Sequence, residues 1–244
     1  VRALYPRAAD DVDLGAAYAV PRRTPFVRCN MISSIDGAIA VHGRSGMLGG
    51  PGDRRVFSVL RSLADVVLVG AATARSEGYG PARPDGAARE ARLGRRQAAV
   101  PPIAVVTRSG QLDWSAPFFT AAEARPILLT TADADRGSLE RARDVADVIV
   151  AGDDRVDLRR ALQELEALGY GHVLVEGGPG INAQLLRDGL LDELCLTLSP
   201  RIVAGTGPRI LAGEELARPL GLRLVHLLEE DGYLFSRLAL VAAG

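Results

Sequence analysis

Glu176, Gly177 and Gly178 end the apolar run VLVEGG, and an amphipathic stretch follows at once. In an open sheet, such a strand-to-helix turn faces the ligand side, where unpaired helix N–H groups and the positive end of the dipole meet anions. Two residues without side chains would let the backbone approach a dinucleotide pyrophosphate, and they would equally serve a tight turn that needs positive φ. The spacing falls short of a full GxGxxG, and no acidic residue closes the next strand as a ribose binder would. A second buried run, DVVLVG, ends on Gly70, with Thr73 placed either to cap the next helix or to meet a phosphate. In VVTRSG, the residues Thr107, Arg108 and Ser109 leave a third run; a forked guanidinium beside a hydroxyl suits the 2′-phosphate of NADPH, or a solvated turn. Three such strand ends in one sheet together point to a nucleotide.

The acids come next. Asp53 shares a helix face with Val56, Phe57 and Leu60, so its carboxylate is expected to look toward the core or a pocket. A pocket carboxylate could hold an amino-pyrimidine edge and manage a proton during reduction. An aspartate in a first helical turn also stabilises the helix by about 0.3–1 kcal/mol through the dipole. Asp36, in SSIDG, is open in the same way, because Asp-Gly is an ordinary turn. Glu176 would be costly at a buried strand end without a partner and is expected to face the cleft. Cys29 and Cys195 sit in apolar runs without CxxC spacing and read as buried small hydrophobes; His42, His172 and His226 have no metal-ligand neighbours at useful spacing.

A sheet is needed to align these groups. The 244-residue chain can bury a substantial core, and its length suits one large domain better than two. Its 29 basic and 30 acidic residues nearly cancel, so no global field favours nucleic acid or an anionic membrane. No apolar run reaches the ~18–20 residues of a bilayer span, and VRALYPRAADD lacks the apolar segment of a signal peptide, so a cytoplasmic protein is expected.

Strands are expected at FVRCNMI, DVVLVG, IAVVT, PILLTT, DVIVA, HVLVEGG and ELCLTLSP. Helices are expected over 51–64, in AATARSEGYG, around 138–143, over 157–168 up to Gly169, and near 180–188. Segment 81–101, with five arginines, reads as a loop outside the core with at most one helical turn. Two closing strands, about 222–229 and 232–241, would be joined by EEDG as a hairpin. The alternation predicts an α/β domain over 26–244, with a mainly parallel sheet, helices on both faces and an antiparallel C-terminal hairpin. Residues 1–25, with three prolines, read as an extended N-terminal arm that could pack on another subunit.

Taken in order, NMISSIDGAIA, SGMLGGPGDRRVFSVLRSLADVVLVGAATARSEGYG and VLVEGGPGINAQLLRDGLLDELCLTLSPRIVAG resemble the pyrimidine reductases of riboflavin biosynthesis, built on the dihydrofolate reductase fold. The likeness runs over about residues 26–242. It implies NADPH as hydride donor, with Gly70, Thr73, Gly177, Gly178 and Ile181 on the cofactor, beside the Thr107, Arg108 and Ser109 expected there from their strand end. It places Ser33, Asp36 and Glu176 nearer the substrate, with Arg54 at a basic family position that could contact the sugar phosphate, and a cis bond between Gly177 and Gly178; Asn30 is expected at the substrate as well. The reaction implied reduces a 5-amino-6-(ribosylamino)pyrimidine 5′-phosphate to the ribitylamino form by hydride transfer to C1′. A homodimer is implied as well, with the C-terminal strands as a candidate contact. The zinc deaminase module that bacterial members often carry is absent from these residues. The family's Asp-Asp-Pro-like run is replaced by SEGYGP, and its helix aspartate by Val56, while Asp53 stands one turn earlier. Asp53 there is similar to the pterin-anchoring acid of dihydrofolate reductases, so a dihydropterin is the alternative substrate. A catalytically silent NADPH-binding protein is the alternative from another class.

Overall fold

The computed structural model describes residues 1–21 and 25–241; residues 22–24 of the expected arm and 242–244 of the expected domain lie outside this description. In chain order the elements begin with β1 (Arg2–Tyr5), α1 (Leu14–Tyr18), β2 (Phe26–Ser34), α2 (Pro51–Leu63), β3 (Val66–Gly70) and α3 (Ala71–Glu77). They continue with α4 (Gly86–Gly94), β4 (Ile103–Val106), α5 (Pro117–Thr120), β5 (Ile127–Thr130), α6 (Arg136–Val145) and β6 (Asp147–Val150). The last are α7 (Leu158–Ala167), β7 (His172–Val175), α8 (Pro179–Arg187), β8 (Glu193–Ser199), β9 (Leu222–Glu230) and β10 (Tyr233–Leu240). One 10-stranded sheet holds every strand, in the order β1-β9-β10-β8-β2-β7-β3-β4-β5-β6. From β8 to β6 neighbouring strands are parallel, and β10, β9 and β1 extend the sheet in antiparallel pairs.

Parallel strands are covered on both faces, which is why VVLVG is apolar at every position and wholly buried. Successive side chains alternate faces. Val67 and Val69 thus join one core with Val56 and Leu60 of α2 and Leu139 and Ala142 of α6. Val66 and Leu68 join the other, with Leu158, Ala161 and Leu165 of α7 and Leu185 of α8. Cys29 and Cys195 are buried, one in each core. The closing hairpin turns on Asp231 (φ 52°) and Gly232 (φ 80°), and two positive φ values in a two-residue loop suit the twist of the flanking strands.

Two expectations need correction. The N-terminal segment is part of this chain's own sheet: β1 pairs with β9, so the hairpin is not the edge, and both its strands have both edges paired. The following α1 is held by Arg28 and Arg237, whose guanidiniums donate to the carbonyls of Tyr18 (2.9 Å) and Ala17 (2.7 Å). Both also pair with the buried Glu193, at 2.6 Å each. The second correction concerns 81–101, which contains the nine-residue α4 with Arg92 at 0% exposure. Arg92 donates to the carbonyls of Arg61, Ser62 and Ala64, and Gln97 Nε2 to those of Leu63 and Ala64. These acceptors belong to the carboxyl end of α2, where a helix leaves its last carbonyls unpaired and its dipole negative. A cation is stable there because the helix end supplies its partners.

Candidate active site

Residues of β2, α2, α3 and the turn after β7 enclose a cleft of about 740 Å³. Of the expected site residues, Asn30, Asp53, Arg54, Thr73, Glu176, Gly177 and Gly178 line it. Ser33, Asp36, Gly70, Thr107, Arg108, Ser109 and Ile181 do not.

Glu176 leaves β7 almost buried, and its charge is fully engaged. Arg61 donates to both carboxylate oxygens at 2.7 Å each, and the Tyr79 hydroxyl donates at 2.6 Å. The Arg61 guanidinium also lies over the Phe57 ring, 4.3 Å from its centroid. Burial, and then the Glu176 charge, push the Tyr79 phenol well above its ordinary pKa, so it stays protonated and donates. Arg61 and Tyr79 were not among the expected residues. A signal for Arg61 exists, since Asp53, Phe57 and Arg61 recur every four residues along one face of α2.

Asp53 stands in the first turn of α2 and faces the cleft. Burial raises its carboxyl pKa, against the lowering influence of the neighbouring Thr197 side chain and the Arg54 charge. No cation forms an ion pair with it among the described residues. Gly49 matters here, because a Cβ at that position would lie 2.9 Å from Asp53 Oδ2.

The turn after β7 supplies bare backbone. Gly177 has φ +95°, the left-handed region that side chains disfavour, and its bond to Gly178 is cis. A Cβ on Gly178 would meet Thr73 Oγ1 at 2.9 Å. Gly178 is also the N-cap of α8 and offers no side-chain cap, so the first N–H groups of that helix lack a side-chain acceptor. Gly70 serves packing, since a Cβ there would meet Ile181 Cδ1 at 2.9 Å. Arg108 and Ser109 follow β4, two positions from β7 in the sheet, which is roughly 10 Å along the carboxyl edge. Thr107 beside them is buried, with its N–H bonded to Leu129.

Asp36 ties two loops together. Its carboxylate accepts from Ser34 Oγ (2.5 Å) and from the backbone N–H groups of Val203 and Ala204 (2.6 Å for the latter). Ser33 is buried in β2. Loop 35–50 supplies Ile39, His42, Gly43 and Ser45 to the cleft, and the segment after β8 supplies Gly207 and Pro208. Asp36→Ala should therefore free the segment after β8, and trypsin should cut at Arg201 or Arg209 several-fold faster, as read by mass spectrometry. Unchanged cleavage would show that other contacts hold the two loops.

A model of the RibD C-terminal domain family matches residues 25–232. The chain is 30% identical over 197 residues to the 2,5-diamino-6-ribosylamino-4(3H)-pyrimidinone 5′-phosphate reductase of Methanothermobacter thermautotrophicus, covering 78% of this chain and 85% of that one. Among solved structures, a pyrimidine reductase-like protein from Corynebacterium diphtheriae superposes with a TM-score of 0.84 at 28% identity, over 95% of this chain and 100% of that one. The fold is also that of the riboflavin biosynthesis reductase Rib7 of Saccharomyces cerevisiae, with a TM-score of 0.68 at 17% identity over 93% of this chain and 94% of that one. Among the described residues no helix is long and apolar enough to cross a membrane.

Proposed function

The chain belongs to the RibD C-terminal domain family, and from that premise we propose that it is a reductase of riboflavin biosynthesis, converting a 5-amino-6-(ribosylamino)pyrimidine 5′-phosphate to its ribitylamino form with NADPH. One observation carries this reading: a single cleft joins the bare backbone of Gly177 and Gly178 to a half-buried carboxylate, Asp53, that forms no ion pair among the described residues.

The residues present fit the cofactor. Gly177 and Gly178 present bare backbone to the cleft where α8 begins without a side-chain cap, with Thr73 Oγ1 lying against Gly178. Arg108 and Ser109, farther along the same sheet edge, would hold the 2′-phosphate. When bound, NADPH supplies a hydride to C1′ of the ring-opened sugar. The protein's part is placement: Asp53 and Asn30 hold the pyrimidine, Arg54 meets the sugar phosphate, and the clamped Glu176 keeps the turn at Gly177 in position. Arg108→Ala should then weaken NADPH binding on the order of tenfold and leave NADH binding nearly unchanged, as measured by calorimetry. Equal losses for the two coenzymes would remove Arg108 from the 2′-phosphate.

A second reading, a dihydropterin reductase, is favoured by the place of Asp53, in the first turn of α2 and lining the cleft with no ion-pair partner among the described residues. NADPH oxidation with each substrate decides between them. Turnover of dihydrofolate without turnover of the ribosylaminopyrimidine would overturn the first reading, and coenzyme binding with neither would mark a silent binding protein.

A further inference from the structure

A phosphate monoester at the end of a flexible sugar chain is costly to bury, because a dianion keeps its water unless donors and cations replace it. Its place is the rim of a cleft, where the wall offers positive charge and unpaired donors. Among the described residues that line this cleft, Arg54 and His42 are the side chains able to carry positive charge. Arg61 nearby is committed to Glu176.

His42 reaches the cleft on an uncommon backbone. Val41 and Arg44 exchange N–H···O bonds of 2.8 and 3.1 Å around a two-residue tip, His42 and Gly43. Positive φ at both, 50° and 79°, makes this a type I′ turn, whose first tip position favours asparagine, aspartate or glycine. A left-handed histidine costs backbone energy that the turn does not recover, and such residues persist where their side chains are used. The turn is also fixed from outside. Ser45 donates its N–H to Glu77 Oε1 at 2.8 Å, and Asp36 ties the start of the loop to the segment after β8. His42 lines the cleft and is exposed as well, so it stands at the opening. No hydrogen bond holds its imidazole among the described residues. We propose that His42 is a phosphate-binding residue of this cleft, its imidazole donating to the 5′-phosphate that Arg54 also meets.

An imidazole has an N–H to donate in either charge state, and a bond to an ionised acceptor is among the stronger kinds. A turn pinned on both sides holds that donor in place before the ligand arrives, so little ordering is left to oppose binding. This assignment takes its ligand from the reductase reading, whereas preference for a phosphate is a binding property that needs no turnover.

The test compares 5-amino-6-ribitylaminouracil with its 5′-phosphate, which differ only in the phosphate, by calorimetry with the full chain. Wild type should bind the ester more tightly, by roughly tenfold or more. His42→Asn suits the type I′ tip better than histidine does, so its unfolding midpoint should not fall. It should nevertheless lose about tenfold of the preference for the ester, with affinity for the unphosphorylated compound unchanged. NADPH affinity should stay at the wild-type value, which separates the substrate's phosphate from those of the coenzyme. A wild type that binds both compounds equally, or neither, would overturn the assignment. The same holds for an unchanged ratio in His42→Asn, for equal losses with both compounds, and for a loss confined to NADPH. Kinetics with the ribosylamino 5′-phosphate form the second arm: absent turnover by wild type would sink the reductase reading, while the binding ratio would still decide the role of His42.

Discussion

Gly177→Ala should cost about 10²-fold in turnover, the scale seen when reacting groups are displaced by about an ångström. Two effects combine at this position. With φ at +95°, any residue with a Cβ pays roughly 1–3 kcal/mol of backbone strain unless the turn relaxes. The added carbon would also lie 3.6 Å from Met31 Sδ and 4.0 Å from Thr73 Cγ2, both in side chains that line the cleft. That is ordinary contact, so the methyl fits only by occupying space at the cradle. Relaxation of the turn would also shift the Gly177 carbonyl, which accepts from Gly70 N–H at 2.9 Å and so couples the ends of β7 and β3. Gly180→Ala is the control: its Cβ would meet nothing within 4 Å, and it should leave steady-state rates unchanged. Similar rates for wild type and Gly177→Ala would show that the backbone there needs no bare approach.

Arg61→Ala should destabilise the fold by about 3 kcal/mol, the lower end of what breaking a buried ion pair costs, since the Arg61 side chain keeps 20% of its exposure. The Glu176 side chain is only 2% exposed and would be left with the Tyr79 hydroxyl as its side-chain partner. For a chain of this size, that loss lowers the midpoint of thermal unfolding by roughly 6–12 °C. Urea titrations of Arg61→Ala, Glu176→Gln and the double variant form the cycle that isolates the pair. The double variant should recover part of the loss, because the uncompensated charge is then gone. Additive losses would mean that Glu176 finds water or another donor when Arg61 is removed.

The parts of this architecture that could be read in advance are those where one physical demand dominates composition. Strands β3, β7 and β8 are legible because burial on both faces, or on a packed face, excludes polar residues from nearly every inward position. The turn at Gly177 and Gly178 is legible because few other residues tolerate its backbone. The cluster around Glu176 is not, because Tyr79 stands 97 positions away and spacing carries no information over that distance. Arg61 is hard to read in the sequence because the apolar stripe of Val56 and Leu60 marks the core face of α2, while the neighbouring row of Asp53, Phe57 and Arg61 is mixed in chemistry. In α4 the arginines suggest water, yet the acceptors of Arg92 include the carbonyls ending another helix. At four residues, β1 is too short for alternation to show. Asp36 looked like a site acid because acid and turn share the same dipeptide; its acceptors are spent on Ser34, Val203 and Ala204.

The pairing of β1 with β9 has a consequence for synthesis. A segment made ahead of every other strand of the sheet waits for β9, across 227 positions from Arg2 to Glu229. The parallel strands can collapse around their helices meanwhile, but β10, β9 and β1 complete the sheet only once β9 and β10 have been made.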